Sequence, residues 1–188
     1  NGIIDFNGPA PRFNLIADIK KADFKNLNLT KDSLSFIGKL NFNFTSNSID
    51  NFIGEARITE AEISKGGLKI PFDSLVITSR VIDGGRKLDI LSNEFEGSFT
   101  GDFSLTDLPN AFTYLLNKYY PAYVAAPKKL PKNQDITFDI KTYYVDDYLQ
   151  ILSPAITGFN NSTLEGNFNL AKNEINVLAN VPQLKFKK

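Results

Sequence analysis

Few side chains in this chain have the types and spacing that chemistry needs. The carboxylates closest to one another in a suggestive way are Asp146 with Asp147 and Glu94 with Glu96. Such pairs can do acid–base work or hold a hard cation. Asp146 and Asp147, however, open a helical pattern, where carboxylates suit the helix dipole. Glu96 falls on the polar face of a strand pattern. There is no His and no Cys, which removes the commonest general base, the Ser–His and Cys–His arrangements, thiolate nucleophiles and the commonest transition-metal ligands. No nucleophile elbow, phosphate loop, zinc motif or dinucleotide fingerprint is present. The expectation is a protein that is not an enzyme and takes no cofactor or metal. Lys128, Lys129 and Lys132 suit a solvated, Pro-containing loop better than contact with lipid headgroups or an acidic partner. Asn28-Leu29-Thr30, Asn43-Phe44-Thr45, Asn160-Asn161-Ser162 and Asn161-Ser162-Thr163 fit the N-glycosylation acceptor pattern, which an Asn- and Thr-rich β protein also produces by chance.

The chain has 188 residues, with 21 Lys+Arg against 21 Asp+Glu. That balance gives no electrostatic reason to expect nucleic acid or an anionic membrane as partner. It is long enough for one large domain or two small ones. No apolar run approaches the roughly 20 residues of a bilayer span, and no signal-peptide pattern is present. The start at Asn1-Gly2 suggests a fragment or a trimmed form, with any targeting or anchoring segment outside this piece.

The elements that would position these residues are mostly strands. With 16 Phe and 7 Tyr, the composition favours them, and the dominant signal is period two. Leu34, Phe36, Gly38, Leu40, Phe42 and Phe44 share one face, with Ser35, Ile37, Lys39, Asn41, Asn43 and Thr45 on the other. Phe95, Gly97, Phe99, Gly101, Phe103 and Leu105 repeat the pattern, as do Leu164, Gly166, Phe168 and Leu170. Alternation of this length is what a strand with one dry and one wet face needs. Shorter strands are expected over 13–21, 55–64, 68–72, 74–81, 87–91, 135–143, 174–181 and 183–187. The pair 68–72 and 74–81 is separated at Pro71 and Asp73. Hairpin turns are expected at 65–67, 83–85 and 172–173. Two segments have helical spacing: an amphipathic helix over 106–120 ended by Pro121, and a shorter one over 146–152. Residues 123–134 carry Pro127 and Pro131 and read as an exposed connection or a subdomain boundary near 121–134.

The frame polar–apolar–x–Gly–polar–apolar–polar–apolar occurs at 35–42, 98–105 and 163–170. Its glycines are 63 and 65 positions apart (101 − 38 and 166 − 101), which suggests an elongated array of like units rather than a closed barrel. Periodicity alone is equally compatible with a closed core and with an open apolar face able to take acyl chains. A seven-residue strand spans about 23 Å, comparable to an extended acyl tail.

The run Asp32-Ser33-Leu34-Ser35-Phe36-Ile37-Gly38-Lys39-Leu40-Asn41-Phe42-Asn43-Phe44, then Ser48-Ile49-Asp50-Asn51-Phe52-Ile53-Gly54-Glu55-Ala56, resembles the TamB-type translocation and assembly module proteins of the AsmA-like superfamily. Leu88-Asp89-Ile90-Leu91-Ser92 and Phe95-Glu96-Gly97-Ser98-Phe99-Thr100-Gly101 resemble that family's ladder, and Leu108-Pro109-Asn110-Ala111-Phe112 its inserted helix. Residues 148–154 and 164–168 look similar as well. The Phe/Asn/Lys-rich flavour suggests the Bacteroidota type.

The resemblance implies a mainly β fold, an elongated curved antiparallel sheet or half-pipe with an apolar concave face and one or two short inserted helices. It implies one continuous segment, 1–188, of a longer periplasmic protein anchored in the inner membrane. It also implies phospholipid acyl chains as cargo and an outer-membrane β-barrel protein as partner. On that expectation the groove would be lined by Leu34, Phe36, Leu40, Phe42, Phe44, Phe95, Phe99, Phe103, Leu164 and Phe168, residues assigned by their period-two pattern. The alternatives are a scaffold for outer-membrane barrel assembly or secretion, and a structural β-repeat protein. The same resemblance makes Ser33 and Ser74, in Asp32-Ser33-Leu34 and Asp73-Ser74-Leu75, candidate O-glycosylation sites at strand starts.

Overall fold

The computed structural model describes residues 1–26, 33–152, 156–183 and 185–186. The first half runs β1 (Gly2–Asp5), β2 (Arg12–Asp23), β3 (Leu34–Thr45), β4 (Ile53–Lys65), β5 (Leu68–Ile82) and β6 (Gly85–Ser92). The second runs β7 (Phe95–Asp102), α1 (Leu108–Tyr119), β8 (Asp135–Thr142), α2 (Asp146–Leu152), β9 (Ile156–Thr157), β10 (Thr163–Asn169), β11 (Glu174–Asn180) and β12 (Lys185–Phe186). The protein is mainly β: one open ten-stranded antiparallel sheet in the order β1-β2-β3-β4-β5-β6-β7-β8-β10-β11, with β9 and β12 forming a separate two-stranded ribbon.

Pairing in register carries one apolar face across the whole sheet. One row of partners reads Leu15, Phe42, Ala56, Ile77, Ile90, Gly97, Ile140, Leu164 and Ala179. The next reads Phe13, Phe44, Gly54, Ser79, Leu88, Phe99, Phe138, Gly166 and Val177. Because side-chain direction alternates with a period of two, a one-residue slip would turn these rows to water. The opposite face is wet and bears ion pairs such as Arg57–Glu55, Lys39–Glu60 and Arg80–Asp89.

Glycine and aromatics interlock on the apolar face. Phe44 stands opposite Gly54 and Phe138 opposite Gly166, and a Cβ on Gly166 would come within 3.1 Å of the Phe138 ring. At Gly38 the register shifts on both neighbours, between Ile19 and Ala22 on one side and opposite Glu60 on the other. Bulges of this kind bend a sheet.

The bend is closed off at both ends. In a flat sheet β4 and β7 would lie about 14 Å apart. Yet Asp50, in the β3–β4 connection, accepts hydrogen bonds from Ser104 Oγ at 2.9 Å and from the Thr106 N–H at 3.1 Å. At the other end Tyr148 of α2 donates to the Pro71 carbonyl of β5 at 2.8 Å. The sheet therefore curls toward its apolar face.

Three sequence expectations change. The break at Pro71 does not occur: β5 is one strand of 15 residues. β6 pairs only with the stretch from Leu75 to Ile82, so among the described residues 68–74 have a neighbouring strand on the β4 side alone, and a proline without an N–H fits such an edge. The strand expected through Leu105 ends at Asp102 because the Ser104 N–H is taken by the fully buried Gln134 side chain at 2.9 Å. The repeat of Gly38, Gly101 and Gly166 is not a unit of structure. The first interval spans β3 to β7 and the second β7 to β10, two sheet positions plus both helices.

The segment 121–134 is a return path along α1 within one sheet, since β7 and β8 on either side of it are hydrogen-bonded neighbours. Asn110 Nδ2 donates to the Lys129 carbonyl at 3.0 Å and Asn117 Nδ2 to that of Val124 at 2.6 Å.

Candidate functional site: an apolar cavity on the curled face

Two clusters occupy the apolar face. In the first, α1 lies on the sheet. Ala111 and Leu115 are buried against Leu88, Phe103, Ile136, Phe168 and Leu170, and the Phe112 ring stacks on Phe168 at 4.9 Å. Helical spacing in 108–119 predicts such a face, and Pro109 in the first turn suits the start. In the second, Phe36, Ala61 and Phe72 are buried, with Ile19, Phe24, Leu40, Ile58 and Tyr148 packed around them.

Between the clusters lies a cavity of about 730 Å3. It is lined by Pro11, Phe13, Phe42, Phe44, Phe52, Ala56, Ile58, Ile77, Leu88, Ile90 and Leu105, with Ser46, Asn47 and Ser48 the polar lining. Its size falls within the roughly 300–1,000 Å3 of small-molecule and cofactor sites, and its apolar lining with a few polar groups has their character. Phe13, Phe42, Phe44 and Phe52 form an aromatic chain, with ring centroids 4.9, 5.6 and 4.8 Å apart in succession from Phe13 to Phe44, Phe42 to Phe44 and Phe44 to Phe52.

The ten groove residues expected from sequence divide by cover. Phe42 and Phe44 line the cavity. Phe36 and Leu40 belong to the second cluster. Phe103 and Phe168 are buried under α1, with Phe99 packed beside them, so they form core there and not an open wall. Leu34, Phe95 and Leu164 are half-buried on the same face. Ser33 is exposed just before β3, while Asp32 lies outside the described residues. Ser74 does not begin a strand: it sits inside β5 opposite Thr59, half-buried. The acceptor pattern Asn28-Leu29-Thr30 and the Ser153-Pro154 end of the short helix also lie outside the described residues.

The carboxylates are occupied structurally. Asp146 accepts the Gly158 and Phe159 N–H groups, each at 2.9 Å. Glu96 accepts the Tyr143 hydroxyl at 2.7 Å, and Glu94 accepts the Ser92 hydroxyl at 2.9 Å. No cluster of three or more metal-ligating side chains occurs among the described residues.

Two charged residues beside the lining residues, Asp50 two positions after Ser48 and Arg86 two positions before Leu88, were not singled out from the sequence pattern. Burial alone would raise the Asp50 carboxyl. The hydrogen bonds from the Thr106 side chain and backbone, Ser104 and the Leu105 N–H outweigh it and hold the group below its ordinary value. Arg86, only 7 % exposed, lies with its guanidinium 4.3 Å from the centre of the Phe103 ring. Burial lowers its pKa, against the opposing pull of Asp50 and Asp102. The signal for Arg86 was its parity with Leu88 and Ile90, which puts a cation on the apolar face.

Family models, curated proteins and solved structures give no match to this chain. Among the described residues, no helix is long and apolar enough to cross a membrane.

Proposed function

We propose that this chain is a segment of a bridge that carries phospholipid acyl chains along a β-lined groove between membranes, in the manner of the TamB-type proteins it resembles. The observation that carries this reading is the cavity of about 730 Å3 on an apolar face that runs from strand to strand across an open sheet. Burying a methylene of an acyl chain against such a wall gains about 0.8 kcal/mol, while a headgroup remains at the polar rim of Ser46–Ser48. Transport would be passive, with tails sliding past Phe42 and Phe44. On this reading the protein works in the periplasm, reaches the inner membrane through a segment outside this chain, and meets an outer-membrane barrel protein.

The test is lipid extraction and mass spectrometry on the chain purified from cells, beside Phe42→Asp. Phospholipid on the native chain and its loss from a folded Phe42→Asp variant is the expected result, since an unpaired charge in the lane is costly. A lipid-free native chain would overturn the reading. Phe103→Asp is a poor probe because it puts the charge in the core beneath α1.

A second reading, a scaffold that pairs with strands of outer-membrane barrel proteins, is favoured by β11. All seven of its residues are exposed, and among the described residues it ends the sheet with no further strand beside it. It predicts binding of an unfolded barrel substrate and no copurifying lipid.

A further inference from the structure

We infer that Arg86 is a hydrogen-bonding anchor for the carbonyl oxygen of an acyl group whose chain lies in the apolar cavity. This rests on the acyl-groove reading above and adds to it a fixed point at one end.

The register places the residue. The row Phe13, Phe44, Gly54, Ser79 and Leu88 crosses the cavity wall. One step further toward the polar end stand Ser46, whose N–H donates to the Pro11 carbonyl at 2.9 Å, and Arg86, opposite Val81. Pro11 and Ser46 line the cavity, as does Leu105, two residues beyond the Phe103 that carries the guanidinium. Arg86 is not itself part of the lining; it stands two residues along β6 from the lining residue Leu88, in the row of Ser46, at the end where the apolar wall gives way to polar atoms.

The guanidinium is short of acceptors. Among the described residues its one hydrogen bond runs from Nη2 to the Phe103 carbonyl at 3.5 Å, and Nε and Nη1 are buried with no partner there. Five N–H groups on a planar fork need oxygen atoms, and a buried donor left unpaired is expensive. Charge, by contrast, is already supplied by Asp50 and Asp102. Asp50 does not turn to Arg86, because its oxygens accept Ser104 and Thr106. A site that has counter-charge and lacks acceptors suits a carbonyl oxygen better than a further anion. The carbonyl can come from a glycerolipid ester or from a fatty acid.

The experiment preloads the chain with the neutral fluorophore diphenylhexatriene and displaces it with decane, methyl decanoate or decanoic acid. In the native chain the better of the two carbonyl ligands should act at about tenfold lower concentration than decane, the worth of one good hydrogen bond. In Arg86→Leu that preference should vanish while the fluorophore still binds. Replacing a buried cation that is short of hydrogen-bond acceptors by an apolar side chain is compatible with folding. Arg86→Lys, which keeps the charge and loses the fork, should also lose the preference. A stronger response to the ester identifies a glycerolipid source, and a stronger response to the acid a fatty-acid source. Equal action of decane and the carbonyl ligands on the native chain overturns the role of Arg86 and leaves the groove intact, as does a preference that survives in Arg86→Leu or Arg86→Lys. Failure of the fluorophore and of all three ligands to bind overturns the groove itself.

Discussion

Asp50 ties together two connections that are 54 and 56 positions apart in the chain, through Ser104 and Thr106. Its carboxyl is held below the ordinary carboxylate range in the folded state. A depressed folded pKa contributes stability that is present above the unfolded value and lost as pH falls through the folded one. Asp50→Asn should therefore cost about 1–2 kcal/mol at neutral pH, the worth of hydrogen bonds to a partly exposed carboxylate. The gap between native and variant in denaturant melts should stay constant down to about pH 5 and close as pH falls through the lowered folded pKa. A gap that persists at pH 2 would show that the carboxylate charge is not what matters. The serine sites make a second prediction at this scale. Intact mass of protein taken from its native cells should exceed the bare sequence if Ser33 or Ser74 is modified. Ser33, being exposed, is the easier of the two to reach. An intact mass equal to the bare sequence ends the idea.

Among the elements, α1 has the strongest effect on the groove. Its Ala111 and Leu115 fill the apolar face over β8 and β10, so this part of the half-pipe is occupied by the chain itself. Leu115→Ala should cost about 2–5 kcal/mol and Phe168→Ala about 3–5 kcal/mol, by lost burial and the cavity left behind. Urea midpoints would measure both, and losses under 1 kcal/mol would mean that the helix is only loosely seated. This helix was legible in the sequence because Leu108, Phe112, Leu115, Leu116 and Tyr119 recur at helical spacing next to strands that alternate, although of these only Leu115 is buried and Leu116 and Tyr119 are exposed. The strand faces were legible for the same reason, since period two survives register changes. The continuity of β5 through Pro71 was not. It depends on β6 being too short to reach that stretch, a fact of pairing that no local pattern carries. The side of the face that α1 covers was hidden likewise: Phe42 and Phe168 have the same pattern, and only the path of the chain after Asp102 makes one a cavity wall and the other core.

Among the described residues the sheet is open, and β1 and β11 end it with no further strand beside them. Exposed edges of this kind pair with other strands unless something blocks them. Concentration-dependent self-association should be detectable by sedimentation. Val177→Lys puts a charge on the apolar side of the β11 edge and should weaken that association while leaving the unfolding midpoint nearly unchanged. A native chain that stays monomeric at every concentration would argue that its edges are protected in solution.

The sheet order sets a relation between chain length and reach. Strands are added side by side, so each contributes about 4.8 Å to the width of the sheet. The row that begins at Leu15 and ends at Ala179 crosses nine strands, a distance of about 38 Å along the curve. A protein built this way is a tape measure. Removing one hairpin would shorten it by about 10 Å without altering the rows on either side, and the distance it spans would be written in the number of its strands.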